Sequence, residues 1–270
     1  MAYSINQDQN GKLKKVKLFA LDMDGTLYLG NRWILGAEDF LAAIKSGGRR
    51  YTFMTNNSSR GIGTYISKLE SMNLRAAEDE FTTSAKATIW YLNREHPGAS
   101  VFLMGNSSLK EEFLKEGINV TEEGDPDVVV AAFDTELTYK KLCVTCDLVR
   151  EGKPYIATHP DINCPTETGF IPDLGSMIEL IASSAGRRPD IIIGKPNRTM
   201  MEYLISASGY APDEICVIGD RLYTDIAFGE KNGIMSILVL SGETSYEDLL
   251  ASDNHPDLVF DSVREIIPLL

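Results

Sequence analysis

The sequence predicts an α/β fold, an open parallel sheet interrupted by a second, inserted α/β domain. Three observations carry this. Near-continuous apolar runs of strand length recur along the chain, as strands buried on both faces require. Segments with apolar residues at helical spacing separate them. Residues 84–187 repeat that alternation on their own, too long and too ordered for a loop. At 270 residues and 43% hydrophobic content the chain exceeds the usual size of one domain, which agrees with two.

The elements follow in order. "VKLFAL" (16–21) is the first strand, and "AEDFLAAIKSGG" is a helix ending in a Gly pair suited to a C-cap. "YTFMT" (51–55) is the second strand and "RGIGTYISKLESMN" the next helix. The inserted region reads "SVFLMG", "SSLKEEFLKEG", "DVVVAAF", "TYKKLCVTCDLVREG" and "PYIATHP", an alternation of strands and helices. The main sheet then resumes with "IIIG" (191–194), "ICVIGD" (215–220), "SILVL" (236–240) and "LVF" (258–260). The expected domains are residues 1–83 with 188–270 as the core and 84–187 as the insertion, with linkers near Thr83 and Arg187. There is no strict repeat or low-complexity tract, and "TEEGDPD" (121–127) reads as a solvated turn.

Charge limits the partners. With 26 basic and 39 acidic residues the net charge is −13, which disfavours nucleic acid and anionic membranes. The opening "MAYSINQDQNGKLKKVK" lacks the apolar core of a signal peptide, and no run can span a bilayer, so a soluble, cytoplasmic protein is expected. Four cysteines suit a reducing compartment. Cys143 and Cys146 form a C-x-x-C in a helical pattern without a second ligand pair, which reads as burial of small apolar side chains rather than zinc or redox chemistry.

The chemistry sits at the strand ends. In open parallel sheets, ligands bind beyond the carboxyl edge. Asp22 and Asp24 follow the first strand, just before Gly25, which permits a sharp turn. The second strand ends in "TNNSS", offering the Thr55 hydroxyl and the Asn56 backbone N–H to a phosphate oxygen, with Asn57 alongside. The third, "IIIGKPN", leads to Lys195, whose ammonium offsets carboxylates or binds phosphate. The fourth, "ICVIGDRLYTDI", ends in Asp220, with Asp225 at the mouth of the next helix and Arg221 between them. Like charges about 4 Å apart repel by roughly 4 kcal/mol at an effective dielectric near 20, so these acids call for a cation, and hard oxygen ligands imply Mg²⁺.

"DMDGT", "TNN", "GKP" and "GDRLYTD", in this order and each at an expected strand end, resemble the four signature motifs of the haloacid dehalogenase (HAD) superfamily of phosphohydrolases. The insertion between the second and third is similar to the α/β (C2-type) cap of its NagD-like, 4-nitrophenylphosphatase-like branch, and "THPDINCPTETGFIPDLGSM" resembles a segment of that cap. The resemblance implies a Rossmann-like core and a Mg²⁺-dependent phosphatase of small phosphate monoesters, such as nucleotide, sugar or glycolate phosphates. 4-Nitrophenyl phosphate would be an artificial substrate.

It further implies roles. Asp22 would be the nucleophile, forming an aspartyl-phosphate, and Asp24 the acid that protonates the leaving alkoxide and then activates water. Thr55 and Lys195 would hold phosphate oxygens and neutralise the nucleophile. Mg²⁺ would take Asp22, the Asp24 backbone carbonyl and Asp220, with Asp225 acting through bound water. In the cap, Asn163 and Glu167, with His159, Asp161 and Thr166, would meet the leaving group. Two positions depart from the common pattern: His159 stands where Asn is usual and Asp173 where Gly is usual. His96 and His255, each before a proline, carry no expected role.

The alternatives are a phosphomutase using the same aspartyl-phosphate, or a non-catalytic phosphate-sensing module. Motif order and the long insertion between Thr55 and Lys195 argue against the module. A homo-oligomer through the cap is a further expectation.

Overall fold

The computed structural model describes residues 10–122, 124–166 and 169–270. The chain divides into two compact units, one of 1–55, 66–82 and 195–270, the other of 56–65 and 83–194. The segment 56–65 and residues 188–194 thus fall in the second unit.

The first unit is built on a six-stranded sheet ordered Leu258–Phe260, Met235–Val239, Ile215–Gly219, Leu18–Leu21, Arg50–Thr55, Phe81–Thr83. The pairings from Leu258–Phe260 through Arg50–Thr55 are parallel. Leu18–Leu21 is central and wholly buried. Strands with both faces covered have no polar side to present, which explains the uninterrupted apolar runs in the sequence. Helix Ala37–Ser46 buries Ala37, Phe40, Leu41 and Ile44, and the Gly47 N–H closes it on the Ala43 carbonyl.

The second unit holds a five-stranded sheet ordered Ile191–Ile192, Tyr155–Ala157, Val128–Ala131, Ser100–Met104, Asn119–Thr121, all parallel, and a hairpin pairing Asn163–Thr166 with Gly169–Pro172. Its helices begin where a short polar side chain accepts an orphan N–H. Thr83 caps Ser84–Glu95, Asn106 caps Ser107–Lys115, Thr138 caps Tyr139–Arg150 and Asp173 caps Leu174–Ala185. Cys146 is buried in the core of this unit with Leu142 packed against that core, and Cys143 is partly buried.

One strand belongs elsewhere than expected. Ile191–Ile192 pairs with Ile156 and Ala157 in the second unit's sheet, not with the main sheet. An apolar run shows that a strand is buried, not which sheet buries it. Here Asp190 accepts the Tyr155 N–H, and the Ile193 and Gly194 N–H groups donate to Ala157 and Thr158, which holds the run to that edge. Lys195 is the first residue back in the first unit. Among the described residues, no helix is long and apolar enough to cross a membrane.

Candidate active site

The register of the main sheet assembles the site. Leu21 stands opposite both Ile218 and Phe53. One step further along the strands come Asp22, Gly219 and Met54; the next step brings Asp220 and Thr55 to the same carboxyl edge. The Asp22 N–H still donates to the Ile218 carbonyl (2.9 Å), so its backbone is held by the ladder while its side chain lies beyond it. The chain then turns through Gly25 at φ +87°, in the left-handed region that glycine adopts freely. A β-carbon on Gly25 or Gly242 would overlap the Asp220 carboxylate, so both glycines make room for it.

Lys195 is the hub. Its Nζ donates to Asp22 Oδ1 (2.7 Å), Asp225 Oδ1 (2.6 Å) and the Met54 carbonyl (3.2 Å), and its side chain is 2% exposed. Burial alone would lower its pKa; the Asp22 and Asp225 carboxylates outweigh that, and the net direction is upward, so it is an ammonium. Asp225 is wholly buried. Burial pushes its carboxyl up, Lys195 pulls it back, and it stands at about 6. Its Oδ2 also accepts the Arg221 N–H (3.3 Å).

Asp220 is buried as well. It accepts the Thr26 hydroxyl on Oδ1 (3.2 Å) and the Glu243 N–H on Oδ2 (2.7 Å). Burial, with the charges of Asp22 and Asp225, pushes it up to about 7. Arg221 is raised despite its burial, because it faces Asp22, Tyr223, Asp220 and Glu243, and it pairs with Glu243 at 3.0 Å.

These residues fit a divalent cation. Asp22, Asp220 and Asp225 each offer a carboxylate oxygen within 4.8 Å of the others, a donor set of hard oxygens. Lys195 offsets one of the three charges, and Asp220 is pushed up by its burial first and then by the charges of Asp22 and Asp225. Both Asp225 oxygens are already engaged by Lys195 and the Arg221 N–H, whereas Asp22 is partly open.

Asp24 occupies a different environment. Its side chain is 49% exposed and lies 3.6 Å from Lys68 Nζ. Thr55 is buried at its strand end. Asn56 and Asn57 are engaged within the second unit: Asn56 Nδ2 donates to Asp161 (2.9 Å), while Asn57 Oδ1 accepts the Ser59 N–H and hydroxyl. His159 is buried between the Thr158 hydroxyl (3.0 Å from Nδ1) and Asp173 (2.9 Å from Nε2). His159, Asp161 and Asp173 thus form a second buried polar group. Asn163 is exposed on the hairpin, Thr166 bonds to the Gly169 carbonyl, and Glu167 lies outside the described residues.

Three contributors lie outside the residues the sequence singles out. Thr26 stands in the motif "DMDGT" without a role of its own, yet its hydroxyl holds Asp220. The segment after Met235–Val239 supplies the Glu243 N–H to Asp220 and the Ser241 hydroxyl to the Gly25 carbonyl (2.8 Å). Its "SGET" is another polar stretch at a parallel strand end, the signal that found the others. Lys68 gave no signal, because a lysine in an amphipathic helix is expected to be solvated.

A parallel sheet that gathers three carboxylates around a lysine at its carboxyl edge offers oxygens that could hold a cation and an ammonium that could meet an anion. Family models agree: residues 19–119 match a haloacid dehalogenase-like hydrolase and residues 192–266 a HAD-hydrolase-like family. An acid sugar phosphatase of Staphylococcus epidermidis is 32% identical over 255 residues, covering 94% of this chain and 98% of the relative. The structure of a 4-nitrophenylphosphatase of Thermotoga maritima superposes with a TM-score of 0.92 at 43% identity, covering 95% of this chain and 98% of that one. A p-nitrophenyl phosphatase of Archaeoglobus fulgidus gives a TM-score of 0.89 at 29% identity, with 94% and 99% covered. The chain belongs to the haloacid dehalogenase-like hydrolases and is a NagD-like phosphatase.

Proposed function

We propose that the protein is a Mg²⁺-dependent phosphomonoesterase that hydrolyses small phosphorylated metabolites, sugar phosphates foremost, through an aspartyl-phosphate on Asp22. The carrying observation is the contact of Lys195 Nζ with Asp22 Oδ1 at 2.7 Å, which sets an ammonium beside a carboxylate that is still open to a ligand. The names of the relatives, acid sugar phosphatase and 4-nitrophenylphosphatase, support the substrate class.

In this reading one Asp22 oxygen attacks phosphorus and the ester P–O bond breaks, while Asp24 gives its proton to the departing alkoxide. Asp24, now a carboxylate, takes a proton from water as that water attacks phosphorus. The Asp22–phosphorus bond breaks, and orthophosphate leaves. Lys195 and Thr55 hold phosphate oxygens, and Lys195 keeps Asp22 ionised. Asp22, Asp220 and the Asp24 backbone carbonyl would hold Mg²⁺, with Asp225 orienting Lys195 beside them. When bound, the cation supplies charge neutralisation to the phosphate.

Substrate choice belongs to residues 159–175 of the second unit, Asn163 among them. Substitution there reorders preference among esters more than it slows cleavage of 4-nitrophenyl phosphate. The deciding experiment is phosphate release from a metabolite panel with Mg²⁺ and after EDTA, beside Asp22→Asn. Metal-dependent release lost in a folded Asp22→Asn protein is expected; activity retained by that variant would refute the reading.

A further inference from the structure

Asp24 has a neighbour that none of the four motifs contains. Lys68 projects from helix Ile62–Ser71, yet its side chain is only 16% exposed. Its Nζ lies 3.8 Å from the centroid of the Tyr28 ring and 3.6 Å from Asp24 Oδ1. An ammonium withdrawn from water this far is retained only where an aromatic face and a carboxylate replace its hydration.

The ring is itself fixed to the turn that carries Asp24. The Gly25 N–H donates to the Tyr28 carbonyl (2.8 Å), and Asp24 and Tyr28 form an isolated backbone bridge. The buried Tyr28 ring meets Trp33 edge-on at 6.1 Å, and Trp33 Nε1 donates to the Met72 carbonyl one turn beyond Lys68 (2.9 Å). Helix, ring and turn therefore share one frame. Within it Asp24 is half exposed, so its carboxylate has room to swing, and Lys68 is the partly buried cation beside it. At 3.6 Å the contact is a charge pair rather than a short hydrogen bond. It restrains the carboxylate through charge rather than through a short directed bond.

We propose that Lys68 is a positioning residue that holds the Asp24 carboxylate for the second half of the reaction. There water attacks the phosphorus of the aspartyl-phosphate, the Asp22–phosphorus bond breaks, and the water proton passes to Asp24. This rests on the covalent reading given above. The first half with an aryl ester needs little help from Asp24, since 4-nitrophenolate departs without a proton. Lys68 therefore acts on kcat where breakdown of the phosphoenzyme limits turnover, and not on kcat/KM for that ester.

The test compares Lys68→Met, Lys68→Arg and Asp24→Asn on 4-nitrophenyl phosphate, measuring kcat, kcat/KM and the phosphoenzyme trapped by acid quench, with folding checked by circular dichroism. Lys68→Met is expected to lose about tenfold in kcat, to hold kcat/KM within about twofold and to accumulate phosphoenzyme. Lys68→Arg, which keeps the cation and stacks on Tyr28, is expected to restore most of kcat. Equal losses in kcat and kcat/KM for folded Lys68→Met, without added phosphoenzyme, would overturn the role of Lys68 alone if Asp24→Asn does accumulate it. No phosphoenzyme in either variant would overturn the covalent reading and the role of Lys68 with it.

Discussion

His159 Nε2 and Asp173 Oδ1 lie 2.9 Å apart, both side chains buried. His159 stands just beyond strand Tyr155–Ala157, and Asp173 Oδ1 also accepts the Leu174 N–H that opens helix Leu174–Ala185. The pair fastens the exit of a strand to the start of a helix across the segment that carries Asn163.

Removing one partner leaves the other buried and unsatisfied, so Asp173→Ala is expected to cost about 2–4 kcal/mol, including about 1 from the lost cap. His159→Ala/Asp173→Ala should cost less than the sum of the single changes, because the second removes a group already orphaned. Urea denaturation of the four proteins measures this; strict additivity would mean that the two side chains do not couple.

Lys195 holds apart two carboxylates that otherwise face each other in a buried space. Lys195→Met, similar in length and uncharged, should destabilise the protein by about 3–5 kcal/mol and abolish turnover. Part of the stability should return in mild acid, where Asp225, already raised to about 6, takes up a proton. Denaturant midpoints at two pH values test this, and a loss independent of pH would assign the effect to packing.

Mg²⁺ should stabilise the protein in a pH-dependent way. Asp220 is raised from 3.8 to about 7, so the folded protein binds that proton more tightly than the unfolded chain. The associated stability is fully present below about pH 4 and is lost as pH rises through about 7. The cation takes the ionised carboxylate, so its gain grows over the same window. The rise in Tm on adding Mg²⁺ should be larger near pH 8 than near pH 5.5, with a ceiling of about 2.7 kcal/mol at a hundredfold excess over Kd. An equal rise at both would place the cation away from Asp220.

Much of this was legible because polar residues at the ends of buried parallel strands have few structural reasons to be there. Asp22, Lys195, Asp220 and Asp225 were each found that way, and the structure brings them together. Asn56 and Asn57 stand at the same edge, and their side chains bond within the second unit, which leaves the backbone N–H of Asn56 as the group the sequence points to. Strand Ile191–Ile192 joins the second unit's sheet rather than the main one, because apolar character does not encode a pairing partner. Lys68 gives no signal in the sequence, because its partial shielding is a product of Tyr28 and Asp24, forty or more residues away.

The most direct measurement is the site of phosphorylation. Asp24→Asn protein mixed with 4-nitrophenyl phosphate and Mg²⁺, quenched in acid and reduced with borohydride, converts an aspartyl-phosphate to homoserine, which peptide mass spectrometry locates. The expected result is homoserine at Asp22 and nowhere else. Release of 4-nitrophenol without any modified aspartate, or with the modification at another residue, would contradict the assignment of Asp22 as the nucleophile.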